Sequence, residues 1–349
     1  MTDIYGKSLK DLLKHKKSFF DANENLLNDL LNINELYLKQ PKRSNCKNCN
    51  FDLNGPSFIK QKVKYVICDT CGHLNGAYED TDEFCSAVYT EDDGQNYAIN
   101  YSAENLSEYN QRVADIYLPK AKHLKKSLLT IEKNPESLNY VDFGAGSGYF
   151  LSALRKAGLI NSIGYEVSKS QTNFGNNFLG EKSIILHSKK DTLNIINSLD
   201  AEVISMIGVL EHLQNPREVL SAIRMNNSVR YLFLSVPTFS PSVFLEAAFP
   251  KFIHRQLTAG HTHLYTEKSL EYLISEYDLK KVSAWWFGTD MMDLYRFIHT
   301  TLISNDDTRE IVNEWKNFFV PLMDSLQLEI DKKHFSSEVH ILLEFPRNK

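Results

Sequence analysis

The stretch Asn139-Tyr140-Val141-Asp142-Phe143-Gly144-Ala145-Gly146-Ser147-Gly148 decides how this chain is read. It predicts a short buried strand that runs into a glycine-rich turn. Beyond it, Phe150, Leu151, Leu154 and Ala157 recur at helical spacing, so a helix follows. Without a Cβ, Gly144 and Gly146 can take positive φ and let a ligand touch main chain. Gly148 opens the helix, whose unpaired N–H groups and positive dipole end face the same space.

The ligand is constrained by what surrounds the turn. The dinucleotide fingerprint is G-x-G-x-x-G, whereas this turn reads G-x-G-x-G, with Tyr149 where the third glycine would stand. Asp142 lies just before the turn, where an acid suits a ligand's ammonium group and not a pyrophosphate. A second strand, Ser162-Ile163-Gly164-Tyr165-Glu166, ends in another acid, 22 residues after Gly144. At that place a carboxylate can accept hydrogen bonds from ribose hydroxyls. A ligand with an amino-acid end and a ribose is S-adenosylmethionine.

Asp142 to Gly148 resembles motif I of the class I S-adenosylmethionine-dependent methyltransferases, and Glu166 matches their ribose-binding acid. Val203-Ile204-Ser205-Met206-Ile207-Gly208-Val209-Leu210-Glu211-His212-Leu213 is similar to the fourth strand and the following "LEH" segment of their small-molecule branch. The resemblance spans about residues 120–349, the length one such domain needs. It implies a Rossmann-like seven-stranded sheet with helices on both faces. It also implies that Asp142, Phe143, Gly144, Ala145, Gly146, Tyr149, Glu166, Val167, Ser188, Ile207 and Gly208 line the donor pocket. Val167 can cover a face of the adenine, and Ser188 or Lys189 could meet its edge.

The 349 residues suffice for two domains or one enlarged domain. A net charge of −5 argues against a nucleic-acid backbone as main partner, because such domains carry a basic face. There is no apolar run of membrane-spanning length and no signal-peptide pattern at Met1–Lys7, so a cytoplasmic location is expected, with reduced cysteines.

Ahead of the methyltransferase-like part, residues 1–40 read as helical, from leucines at three- and four-residue steps. Residues 41–76 carry Cys46-Lys47-Asn48-Cys49 and, 18 residues on, Cys68-Asp69-Thr70-Cys71. Two C-x-x-C pairs at this separation predict a zinc ribbon with a closed, structural Cys₄ site, and the Phe58–Ile67 stretch between them has strand character. Cys85 is left over and is read as a packed side chain. The ribbon resembles N-terminal zinc modules joined to some methyltransferases of sugar and natural-product pathways. Residues 77–120 read as a helical linker or lid, rich in tyrosine. Tyr109 and Tyr117 are expected to pack along helices, and Tyr97 or Tyr101 could close over the donor.

From residue 121, strands at 139–143, 162–166, 183–187, 202–207 and 230–236 alternate with helices, which gives a parallel sheet. A strand at 281–287 and a last one at 338–345 are expected to form an antiparallel edge. A long helical segment to about Leu328 lies between them. Residues 238–266 read as a substrate-side insertion; its apolar part, Phe239 to Thr258, could be a lid or a dimer surface.

An acceptor must lose a proton, and histidine titrates in the right range. The candidates are His212, His261 and His263, with His254 also weighed. His261 and His263 at i, i+2 could share a metal, but the sequence offers no nearby acid-rich cluster to supply a third ligand. The expected activity is therefore methyl transfer from S-adenosylmethionine to a small molecule, a nucleotide-linked sugar or glycan or natural-product precursor. The alternatives are a zinc-ribbon-guided RNA or protein methyltransferase, or a non-catalytic scaffold that binds the donor. The Asn-Pro-Pro-aromatic motif of amino-methylating enzymes is absent after the fourth strand, where Gly208-Val209-Leu210 stands.

Overall fold

The computed structural model describes residues 2–14, 23–89, 105–258 and 261–346. Tyr97 and Tyr101 lie outside them. An eight-stranded sheet runs through the molecule in the order β1-β11-β12-β9-β8-β5-β6-β7. The strands are β1 (Thr2–Tyr5), β5 (Tyr140–Phe143), β6 (Ser162–Glu166), β7 (Ile184–Leu186), β8 (Val203–Ile207), β9 (Tyr231–Pro237), β11 (Lys280–Phe287) and β12 (Glu338–Glu344). Strands β7, β6, β5, β8 and β9 are parallel neighbours, and β12 runs antiparallel to both β9 and β11.

The expected seven-stranded Rossmann-like sheet is present, with an eighth strand added. β1 pairs in parallel with β11, Ile4 opposite Trp285, in a segment that the leucine spacing had assigned to helix. The helix begins only at Leu9. The leucine signal starts at Leu9 and resumes at Leu26–Leu31, where the helix Asn23–Tyr37 stands, and Thr2–Tyr5 carry no periodicity of their own. What makes them a strand is the open edge of β11, which lies nearly 280 residues away in sequence.

The central strands β5, β8 and β9 are buried along nearly their whole length because helices cover both faces. Val141, Ile204, Met206, Leu232 and Leu234 form one core with Ile223 and Leu220; Leu124, Leu154, Tyr231 and Phe233 belong to the other. Trp285 and Trp286, adjacent on β11, are both buried. Trp286 packs in the first core, while Trp285 meets His123 and His340, as alternation along a strand requires. The long segment after β11 is three helices, Asp290–Ile303, Val312–Phe319 and Met323–Asp331, and not one.

A second sheet of four strands has the order β10-β4-β3-β2, with β2 (Ser57–Lys60), β3 (Val63–Ile67), β4 (Leu74–Gly76) and β10 (His263–Leu264). The Phe58–Ile67 stretch is a hairpin. Its two-residue loop, Gln61 and Lys62, has φ of 46° and 69°, the left-handed pair that matches strand twist. The edge strand β10 comes from the insertion, so the cysteine-bearing region and the large domain share one sheet. Further ties hold them: the Asn48 side-chain amide donates to the Ser269 carbonyl (3.0 Å), and Lys60 pairs with the fully buried Glu246 (3.0 Å). In the insertion, Phe249 and Phe252 pack on Phe297 of the helix Asp290–Ile303, while Phe244 stays 66% exposed.

Candidate functional site

β5 ends where the order of the sheet reverses, with β6 on one side and β8 on the other. Ligands of open parallel sheets bind beyond such a point. Asp142 stands opposite Gly164 on β6 and Ser205 on β8. It is 2% exposed, and its Oδ1 accepts a hydrogen bond from the Ser205 hydroxyl at 2.7 Å. Burial pushes the Asp142 carboxyl up to about 7; the Ser205 hydrogen bond opposes this and the Glu166 charge adds to it. Ser205 was not foreseen. Its signal is a small polar residue inside the apolar run Val203–Ile207.

The glycine turn closes onto β6. The N–H groups of Gly144 and Ala145 both donate to the Tyr165 carbonyl (2.8 and 2.9 Å), and the Gly146 N–H donates to Glu166 Oε2 (2.7 Å). Glu166 Oε1 takes the N–H groups of Val167 and Ser168 (2.9 and 2.8 Å). A carboxylate has about four acceptor positions, so one remains for a ligand hydroxyl. Gly144 has φ of 74°, and a Cβ there would lie 2.6 Å from Val209. At Gly146, φ is 54° and a Cβ would meet Gln171 Oε1 at 2.8 Å, so the Gln171 side chain borders the turn. The Tyr109 hydroxyl donates to the Ser147 carbonyl (3.1 Å), a tie from the helix Leu106–Arg112 to the turn that the sequence did not signal.

Phe143 and Ala145 are buried beneath the turn, with Phe143 against Tyr165 and His187. Val167 is exposed beside Glu166; Ile207 is half-buried and Gly208 exposed at the end of β8. Ser188 is exposed, and its hydroxyl accepts from the Lys190 N–H. Tyr149 departs from expectation. Its ring is buried between Tyr109 (4.6 Å) and Tyr117 (5.3 Å), in the core that packs against the helix. The first residue of this helix points its side chain back into packing. Tyr101 is outside the described residues.

On the far side of β8, the three histidine candidates separate. His212 closes the short 3₁₀ turn Leu210–His212, and its ring centroid lies 4.9 Å from that of His261. Glu211, 3% exposed, stands beside them with Oε1 3.9 Å from His212 Nε2, and burial pushes its carboxyl up to about 8. His261 Nδ1 is 3.1 Å from the Gln256 carbonyl, and burial lowers the pKa of this ring. His263 goes elsewhere. It is fully buried in β10, with Nδ1 2.8 Å from His73 Nε2 of the cysteine-bearing region, which excludes it from an open cleft. His261 precedes β10 and its ring meets His212, whereas His263 within β10 meets His73, so the two do not converge as a pair. His254 is buried beside Glu246, also outside the cleft.

Cys46, Cys49, Cys68 and Cys71 are all buried, with their sulfurs within 4.8 Å of one another. Sγ of Cys46 lies 3.6 Å from that of Cys71, and Cys49 lies 3.7 Å from Cys68. Four thiolates about 2.3 Å from one ion in a tetrahedron stand about 3.8 Å apart, so the set can hold a metal. The Cys71 thiol and burial both push the Cys46 thiol up, a crowding that a cation would relieve. Cys85 is buried among Tyr37, Tyr65 and Phe84, apart from the four.

Among the described residues no helix is long and apolar enough to cross a membrane. No curated protein matches the chain. Among solved structures, a SAM-dependent methyltransferase from Archaeoglobus fulgidus aligns at 17% identity over 64% of this chain and 94% of that one, with a TM-score of 0.36. A putative sarcosine dimethylglycine methyltransferase from Galdieria sulphuraria aligns at 14% over 73% and 98%, with a TM-score of 0.45. Magnesium protoporphyrin IX methyltransferase from Synechocystis PCC 6803 aligns at 14% over 57% and 90%, with a TM-score of 0.41. Residues 114–284 match a family described as a methyltransferase domain, and that span holds the glycine turn, both strand-end acids and the Leu210–His212 turn. This chain therefore carries a methyltransferase domain on a Rossmann-like α/β sheet, and it is an enzyme.

Proposed function

We propose that the chain transfers a methyl group from S-adenosylmethionine to a small-molecule acceptor, with Asp142, the Gly144–Gly146 turn and Glu166 holding the donor. One observation carries the reading. The N–H groups of the turn, which a pyrophosphate would need, are already given to Tyr165 and Glu166. What the turn offers instead is two carboxylates, one of them deeply buried and, among the described residues, influenced by Ser205 and Glu166 and by no cation. A cationic amino-acid end beside Asp142 and a ribose hydroxyl on Glu166 fit that provision; a phosphate does not. The donor, when bound, supplies a sulfonium whose methyl carbon is already activated, and its C–S electron pair stays on sulfur as the acceptor atom bonds to that carbon.

The protein's own work is alignment and proton handling. Exposed Gly208 lets main chain approach the reacting centre. One of the candidate histidines, His212 or His261 beside it or His263 behind them, takes the acceptor's proton. Val167 lies where it can cover the adenine. In this reading the four cysteines hold one zinc ion with no open coordination position, and the metal is structural. The proposed acceptor is a nucleotide-linked sugar or a related precursor, supported by the resemblance of the cysteine region to modules in such enzymes. The acidic balance of the chain supports a partner other than nucleic acid.

Isothermal titration of the full chain with S-adenosylhomocysteine tests the donor site. A dissociation constant on the order of micromolar is expected. No heat at about millimolar ligand would overturn the reading.

A further inference from the structure

We propose that Glu211, His212 and His261 form a second metal site, an open one, that binds a single divalent first-row transition ion beside the reacting centre. Its use in catalysis rests on the methyl-transfer reading above; its existence does not.

Three observations support it. Ligand atoms of the three side chains lie within 4.8 Å of one another, although His261 is some fifty residues from the other two in sequence. Ligands of one tetrahedral ion at about 2.1 Å stand about 3.4 Å apart, so small side-chain rotations complete the set. Second, Glu211 Oε2 is buried and has no hydrogen-bond partner. A carboxylate oxygen is costly to bury in that state, and a cation removes the cost. Third, His261 Nδ1 is within hydrogen-bond distance of the Gln256 carbonyl, which can only accept. The proton therefore sits on Nδ1, and the lone pair is on Nε2. A carbonyl that fixes the tautomer and the ring in this way is the usual outer partner of a metal-bound histidine.

Ligand type selects the ion. Two imidazoles and one carboxylate suit zinc, iron(II), cobalt(II) or manganese(II) over calcium or magnesium, which prefer oxygen alone. The contrast with the four cysteines matters. Four thiolates close a site; three ligands leave positions free. Glu211 Oε1 would be 3.6 Å from a Cβ built on Gly208, so the free positions lie next to the end of β8. An acceptor hydroxyl bound there as a metal ligand has its pKa lowered. With the ion bound, the two imidazoles are ligands and no longer the base, so the proton leaves to solvent, and the oxygen lone pair is held toward the methyl carbon. Acceptors with a hydroxyl beside a second oxygen, which can chelate, are the class this geometry favours.

The test is a cobalt(II) titration of the full chain with its cysteine site left as purified, followed by visible absorption and by metal content. One equivalent should enter with weak d–d bands and without thiolate charge transfer. Glu211→Gln and His261→Gln should each weaken that binding by about 100-fold while S-adenosylhomocysteine binding and the melting curve stay as in the parent. Uptake equal in the parent and both variants, or no uptake by the parent, overturns the proposal. Should a variant not fold, the parent decides: paramagnetically shifted ring N–H signals from two histidines keep the assignment, and their absence removes it. Cobalt uptake without S-adenosylhomocysteine binding would instead reject the methyl-transfer reading and leave the metal site standing.

Discussion

The two sides of the cleft are built in opposite ways. The donor side is local: Asp142, the turn and Glu166 lie within 25 consecutive residues, and most of its contacts are main-chain N–H groups. The acceptor side is assembled. Glu211 and His212 follow β8, His261 arrives from the insertion, and the next strand, β10, is held by His73 and the edge of the cysteine-bearing sheet. A site made of backbone tolerates change around it. A site made of side chains from separate segments depends on whatever fixes those segments.

The sharpest way to break this comparison is Cys71→Ser. With zinc on the four cysteines as proposed, losing one ligand is expected to cost about 4 kcal/mol or more, read as a fall in the denaturation midpoint. Because β4 and β10 pair, methyl transfer should fall far more than S-adenosylhomocysteine affinity. Equal losses in both would mean that the cysteine region supports the whole domain and not the acceptor side in particular.

Asp142→Asn sharpens the donor half. Donor affinity should drop about tenfold, close to 1.4 kcal/mol. The sign of the pH effect follows from the raised carboxyl. Its folded pKa lies above the unfolded value, so its stability contribution is complete below about pH 4 and is lost as pH rises through about 7. A ligand ammonium favours the carboxylate, so binding near pH 6 should release a large part of one proton. Calorimetry in buffers of different ionisation enthalpy measures this, and the Asn variant should release none from this position. Proton uptake in the parent would contradict the placement of the ammonium.

The smallest effect belongs to Ser205→Ala. Removing the hydroxyl that donates to Asp142 should cost about 1 kcal/mol in stability. It should also raise the Asp142 pKa further and move the pH dependence of donor binding to higher pH. An unchanged pH profile would detach Ser205 from the donor site.

Legibility in the sequence follows the same division. The strand–turn–helix at 139–157, the acid at Glu166 and the alternating strands were readable because each is set by neighbours a few residues away: apolar runs, bare glycines, a strand end. Tyr149 was misplaced because a position in a motif says nothing about which way a side chain turns. His263 was misplaced because β10 exists only through its pairing with β4. The missing third ligand beside His261 was in plain view as Glu211, yet nothing linear connects the two.

By itself, then, the sequence determined the strand, glycine turn and helix at 139–157 and the strand-end acid Glu166: backbone conformation and short-range periodicity are local properties, and the residues that need them must carry them. Two C-x-x-C pairs likewise announced a cluster of four cysteines able to hold a metal, since each knuckle is local. Only the tertiary structure decided the eighth strand at β1, the sheet shared by the cysteine region and the insertion, and which histidine stands with Glu211. Those outcomes rest on strand pairing and burial between segments far apart in the chain, where the partner, and not the residue's own neighbours, sets the result.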